Sequence, residues 1–164
     1  VERIEGLDLG LRAPSYLIWG AGTDVGKTLV SCGICNIASQ RNKNSPNSQV
    51  FYYKPVQTGF PQDSDADQVA SVCGTGVVSE LGDHAAELLT DAVTEFPKMV
   101  VGIDKPHGAV VTRTEYAWTD PVSPHLAVAM EGRAVQDSEM VTAITNRINA
   151  FYDTAAGHTG GSSS

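Results

Sequence analysis

The chain has 164 residues, 41% of them hydrophobic and 18% charged, with a formal net charge of −8. That length suits about one domain with a proper buried core. The acidic balance argues against a nucleic-acid partner, which wants a basic face, and no apolar run approaches the roughly 18 residues of a transmembrane span.

Residues 1–14 read as a lead-in. They hold no initiator Met, no secretory apolar core and no arginine-rich amphipathic transit segment, which fits a chain that begins after a removed leader. The apolar run Tyr16-Leu17-Ile18-Trp19 predicts a first strand, and Leu29 to Arg41 predicts a helix. Between them lies Gly20-Ala21-Gly22-Thr23-Asp24-Val25-Gly26-Lys27-Thr28. A glycine-rich turn between a strand and a helix is where a phosphate-binding loop works. The helix N-terminus offers unpaired N–H groups and a partial positive charge, and glycines let the backbone approach the phosphate oxygens. Gly22, Thr23, Asp24, Val25, Gly26, Lys27 and Thr28 are therefore candidate nucleotide-binding residues. Lys27 would add a point charge near the terminal phosphates, and the Thr28 hydroxyl would ligate Mg2+. The loop is one residue longer than the common form, because five residues separate Gly20 from Gly26.

Cys32 and Cys35 make a C-x-x-C within this helix. With no second metal pair nearby they read as small core residues, and the three cysteines of the chain are too few for a secreted disulfide framework. Gln40 to Ser48 is a loop by composition. Val50-Phe51-Tyr52-Tyr53 predicts a second strand, and the strand–helix–strand order predicts a parallel sheet. Lys54 and Thr58 then fall at the carboxyl end of a strand, where ligands of such sheets collect. From placement alone Lys54 is equally a solvated lysine or a site residue. The acidic run Asp63-Ser64-Asp65-Ala66-Asp67 reads as a loop with a helix cap, one of whose carboxylates could serve a nucleotide-bound Mg2+.

Further on, Gln68 to Val72 predicts a short helix ended by Gly74-Thr75-Gly76, and Glu80 to Ala92 predicts another on the spacing of Leu81, Ala85, Leu88 and Leu89. Residues 97–108 read as a loop, with His84 and His107 in surface or loop roles. Ala109 to Thr112 predicts a strand. Ser123 suits a helix N-cap and Pro124 the first turn of a helix over Leu126 to Glu131, with His125 holding that helix against its neighbours. Val135 to Phe151 predicts a last helix, and residues 153–164 a flexible Gly/Ser tail. The fold class is α/β, a P-loop NTPase-like parallel sheet flanked by helices, spanning residues 15–152.

Four motifs together resemble dethiobiotin synthetase: the long loop ending Gly26-Lys27-Thr28, Tyr53-Lys54-Pro55-Val56-x-Thr58-Gly59, Ser64-Asp65-Ala66 and Ser123-Pro124-His125. The resemblance implies an ATP-dependent ligase of biotin biosynthesis that joins 7,8-diaminononanoate and CO2, through a carbamate and its mixed anhydride with phosphate, into dethiobiotin. It implies that Lys27 touches nucleotide phosphates and carbamate, that Thr23 helps hold the phosphates, and that Thr28 and Asp65 ligate Mg2+ with Asp24 nearby. Lys54 would hold the amino or carbamate end of the substrate with Thr58 beside it, so Lys27 and Lys54 are the catalytic candidates. The wording from Ala117 to Ala127 looks like the eukaryotic bifunctional relatives, which are mitochondrial and carry a C-terminal aminotransferase domain. Otherwise a cytoplasmic location is implied, and in either case a homodimer. The family's later acidic strand before Gly-Gly does not occur after Ile148, so the resemblance covers the N-terminal half of the domain and implies little turnover by this chain alone. Three other readings share the loop: a corrinoid-pathway amidoligase, a nucleotide-binding remnant, and a partner-regulated ATPase. The last would want a lysine where Gly22 stands.

Overall fold

The computed structural model describes residues 13–22, 24–42, 48–74, 76–90 and 110–157. Thr23, His107, the expected loop over 97–108 and most of the lead-in and tail lie outside them. The elements run α1 (Lys27–Asn42), β1 (Val50–Thr58), α2 (Asp65–Cys73), β2 (Val77–Leu81), α3 (Asp83–Thr90), β3 (Val110–Trp118), α4 (Pro124–Glu131) and α5 (Asp137–Gly157). They divide into two compact units, one of residues 18–134 and one of residues 1–17 with 135–164.

In the larger unit the three strands form a parallel sheet in the order β1-β3-β2, with Val110 of β3 facing Val50 on one side and Val77 on the other. This is the α/β architecture expected. β3 is the central strand, and of its residues only Glu115 is not fully buried. That explains a sequence, Val110-Val111-Thr112-Arg113-Thr114-Glu115-Tyr116-Ala117-Trp118, without the alternation of a half-solvated strand.

Two expected elements differ. Residues 14–20 carry no regular secondary structure, and Tyr16, Leu17 and Trp19 are 73%, 86% and 85% exposed. A strand exists only where an edge accepts its hydrogen bonds and a core accepts its side chains, and among the described residues neither receives this segment. The helix expected from Glu80 is instead β2 followed by α3, with the break at Gly82. A Cβ at that glycine would lie 2.5 Å from the Glu115 carbonyl oxygen, and the Gly82 N–H donates to the Thr114 carbonyl at 2.8 Å. The chain must turn there against β3, so the apolar spacing of Leu81, Ala85 and Leu88 continues across a boundary rather than along one helix.

Cys32, Cys35 and Val69 pack together with Val50, Tyr52 and Cys73, joining α1 and α2 to the sheet. Cys32 and Cys35 are free and buried, as their placement in the sequence implies, and Cys73 is free and partly buried. Phe60, Ala85 and Ala117 form a second cluster with Leu81, Leu88 and Leu89. His84 belongs to this packed region, correcting the surface reading. Its Nδ1 accepts from the Ala117 N–H at 3.3 Å, and its ring lies 5.4 Å from Tyr116 and 4.9 Å from Trp118.

Burial, then the neighbouring Cys73 and Cys32, push the Cys35 thiol from an ordinary 9.0 up to about 11. Cys32, Cys73 and Tyr52 are raised too, burial being the first cause in each. The unfolded chain thus releases these protons at lower pH than the folded one. The stability that Cys35 contributes in this way is fully present below pH 9.0 and is lost as pH rises through about 11. Urea unfolding followed across that range should show the decline, and Cys35→Ala should flatten part of it.

In the smaller unit α5 runs past the expected end at Phe151 to Gly157. Its Tyr152 hydroxyl lies 3.3 Å from the Ser15 hydroxyl. No described helix is long and apolar enough to cross a membrane.

Candidate functional site

In the segment expected to form a phosphate loop, two described residues hold a positive φ. Gly26 stands at φ +87°, closed to most side chains, and leads directly into α1, whose first turn forms as the Val30 N–H donates to the Gly26 carbonyl at 3.0 Å. Asp24 also holds a positive φ, 56°, a conformation that Asp tolerates better than most residues. A Cβ at Gly20 would meet Val25 Cγ2 at 2.6 Å and Lys27 Cδ at 3.0 Å, so those side chains would have to shift. Gly22 and Val25 are exposed, and Lys27 Nζ donates to the Gly22 carbonyl oxygen, curling the side chain over its own loop. The ammonium is thereby held above the helix N-terminus, where anionic oxygens are stabilised.

The second half of the site comes from β1 and α2. Asp65 opens α2 and sends its carboxylate to two partners. Oδ1 accepts from the Thr28 hydroxyl at 2.6 Å, and Oδ2 accepts from the Lys54 ammonium. The Lys54 and Asp65 side chains are 27% and 17% exposed, so the ion pair is shielded but reachable from solvent. Three candidates separated widely in sequence, Thr28, Lys54 and Asp65, therefore meet at one point. Thr58 lies at the end of β1 opposite Trp118 in register, apart from that contact. The Asp65 charge extends below the site. After burial, it is the next cause raising the Cys32 thiol and the Tyr52 hydroxyl, the Tyr52 effect being partly opposed by a hydrogen bond with Ser31.

Local chemistry explains why Asp65 stands where it does. Ser64 is the N-cap of α2, its hydroxyl accepting from the Asp67 N–H at 3.2 Å. Ser64→Ala should lower stability by about 1 kcal/mol in urea unfolding. One contributor escapes a motif reading altogether. Gln57, 6% exposed, donates through Nε2 to the carbonyls of Thr58 at 2.7 Å and Asp63 at 2.9 Å, and accepts through Oε1 from the Asp65 N–H at 3.2 Å. Its only signal in the sequence is a polar residue between two site residues of one strand.

Ser123 occupies the N-cap position of α4 with Pro124 at its start, as expected, but makes no side-chain cap. His125 is exposed and lies 3.4 Å from the Ser123 hydroxyl, so it does not pin the helix against neighbours.

Thr28 and Asp65 offer adjacent hard oxygens, a donor pair that fits Mg2+ carried with a nucleotide. Among the described residues no group of three or more His, Cys, Asp and Glu could hold a metal, so phosphate oxygens would have to complete such a site.

A family model described as an AAA domain matches residues 14–81. A rice (Oryza sativa subsp. japonica) protein named bifunctional dethiobiotin synthetase/7,8-diamino-pelargonic acid aminotransferase, mitochondrial, is 40% identical over 149 residues, 79% of this chain and 18% of the rice protein. A protein of the same name from Arabidopsis thaliana is 33% identical over 159 residues, 83% of this chain and 19% of that protein. An ATP-dependent dethiobiotin synthetase of Haloferax mediterranei is 35% identical over 85 residues, 49% of this chain and 34% of its own length. Over 79–83% of its length the chain is similar to plant proteins named for dethiobiotin synthetase. It spans less than a fifth of the length of the plant relatives it matches. The dethiobiotin synthetase motifs recognised in its sequence map onto the α1 N-terminus, β1, the α2 N-terminus and the α4 N-terminus.

Proposed function

We propose that this chain supplies the nucleotide-binding and carbamate-binding residues for the ATP-dependent ring closure of 7,8-diaminononanoate with CO2 to dethiobiotin. The observation that carries this reading is the meeting of Thr28, Lys54 and Asp65 beside the phosphate loop. Gly22 to Thr28 hold the phosphates, with Lys27 on the terminal one. Thr28 and Asp65 hold Mg2+, which when bound neutralises phosphate charge. Lys54, with Thr58 beyond it on β1, faces the carbamate.

These residue types suit the chemistry. A carbamate is a poor electrophile because its oxygens are anionic. Transfer of the γ-phosphoryl group to one of them gives a mixed anhydride, and the second amine of the same substrate displaces phosphate to close the five-membered ring. The protein supplies position and positive charge, and no side chain need become a nucleophile. Lys54 can offer its ammonium to the carbamate while Asp65 turns to the metal, since both now share one ion pair.

The names of the plant relatives support two further parts of the proposal: a mitochondrial location and a fused aminotransferase domain in the whole protein. A homodimer rests on the family resemblance alone. The test is binding of 7,8-diaminononanoate with bicarbonate, by saturation-transfer NMR, to the chain loaded with a non-hydrolysable ATP analogue and Mg2+. Lys54→Ala should weaken that binding about tenfold, the loss of one charged hydrogen bond. Unchanged diamine binding by the variant would remove Lys54 from the substrate site.

A further inference from the structure

We propose that Gln57 is the positioning residue of this site, setting Asp65 beside the Thr28 hydroxyl, where the two would hold Mg2+; the proposal rests on the metal role of Asp65 given above. The orientation of its amide is fixed by its surroundings. Both N–H donors meet carbonyls, of Thr58 at 2.7 Å and Asp63 at 2.9 Å, and the oxygen meets the Asp65 N–H at 3.2 Å. A flipped amide would set oxygen against two oxygens.

Asp65 is the first residue of α2, and its N–H is one of the donors that a helix start leaves unpaired. Ser64 takes the Asp67 N–H instead, which leaves that of Asp65 to Gln57. Thus β1 supplies the Lys54 cation for the carboxylate and, three residues later, the tether for the same residue's main chain.

Beyond the bond to the Asp63 carbonyl, the turn is held by bonds that do not involve this amide. Asp63 N–H donates to the Gly59 carbonyl at 2.8 Å, and Ser64 N–H to that of Pro61 at 3.3 Å. Gly59 and Phe60 N–H groups tie the turn to β3 through the carbonyls of Asp120 at 3.2 Å and Trp118 at 3.0 Å. Removing the Gln57 amide therefore loosens the register of Asp65 against β1 more than it unmakes the turn. The phosphate loop, residues 20–28, makes none of its hydrogen bonds to Gln57 among the described residues.

The experiment is a calorimetric titration of ATP onto the chain at a series of Mg2+ concentrations, for wild type, Gln57→Met and Asp65→Asn. Gln57→Met should raise the Mg2+ concentration giving half the full effect roughly tenfold, while leaving Mg2+-free ATP affinity within about twofold. An unchanged Mg2+ midpoint, or equal losses with and without Mg2+, would overturn the proposal and make Gln57 a residue of stability alone. Should Gln57→Met fail to fold, Gln57→Glu is read the same way. It keeps an acceptor for the Asp65 N–H and loses both donors, and its midpoint should rise at least about threefold. Failure of both variants to fold also counts against the proposal. Failure of the underlying metal reading looks different: Asp65→Asn would then bind ATP with the same Mg2+ dependence as wild type.

Discussion

Lys27→Met is expected to reduce ATP affinity roughly 100-fold, the equivalent of one or two charge-assisted hydrogen bonds to phosphate. The methionine keeps most of the length and apolar stem, so the variant removes the ammonium with little else. Lys27 opens α1, and its side chain arches back to the Gly22 carbonyl, above a backbone shaped by Gly20 and Gly26. A phosphate entering that arch exchanges one neutral carbonyl partner for anionic oxygens, and the energy of that exchange is what the variant loses. The helix N-terminus remains in Lys27→Met, so residual binding should persist at low ionic strength. Fluorescence titration with a labelled ATP, together with a thermal melt to confirm folding, checks this. An affinity equal to wild type would mean that phosphates do not sit at this loop.

Arg113→Met should destabilise the fold by about 3–5 kcal/mol, the cost of removing one partner from a buried ion group. Arg113 sits on the central strand with its side chain 8% exposed. Its Nε and one terminal nitrogen donate to Glu115 at 2.7 and 3.0 Å, and the other terminal nitrogen reaches Glu80 at 3.5 Å. The Tyr53 hydroxyl donates to the same Glu115 at 3.3 Å, so the group runs across all three strands. Burial opposes the charge on Arg113, yet the hydrogen bonds and charge of Glu115, then the charge of Glu80, outweigh it and hold the guanidinium above its ordinary pKa. The single variant strands the two carboxylates without that cation. The double variant Arg113→Met, Glu115→Leu should recover much of the loss, because apolar replacements of a buried pair are often close to neutral. Chemical denaturation of the two single variants and the double gives the coupling energy directly. Additive losses would show that the two side chains act separately.

The site was more legible than the scaffold around it. Glycines, a Lys-Thr pair and a lysine beside a proline stand out by residue type, and although Lys54 lies midway along β1 rather than at its expected end, the structure joins Thr28, Lys54 and Asp65 across large sequence separations. Strand 16–19 was misread because apolarity predicts burial only when a partner edge is present, and pairing is not a local property. β2 was missed for a related reason: Val77–Leu81 is five residues long, and Leu81 falls in phase with the helix that follows. Glu80 was consequently placed at the start of a helix, when it pairs with Arg113 in register. Gln57 was overlooked because its work is done through backbone groups, which no side-chain motif records.

One calorimetric experiment tests the central claim most directly: ATP titrated onto the chain with Mg2+, first alone and then with 7,8-diaminononanoate and bicarbonate. If the loop and the Thr28–Lys54–Asp65 group form one site for both ligands, ATP binds in the first titration and binds about tenfold tighter in the second, as expected for two coupled ligands. ATP binding that does not respond to the diamine would contradict the account and leave a nucleotide-binding chain without a synthetase substrate site. Absence of ATP binding in both titrations would contradict it entirely.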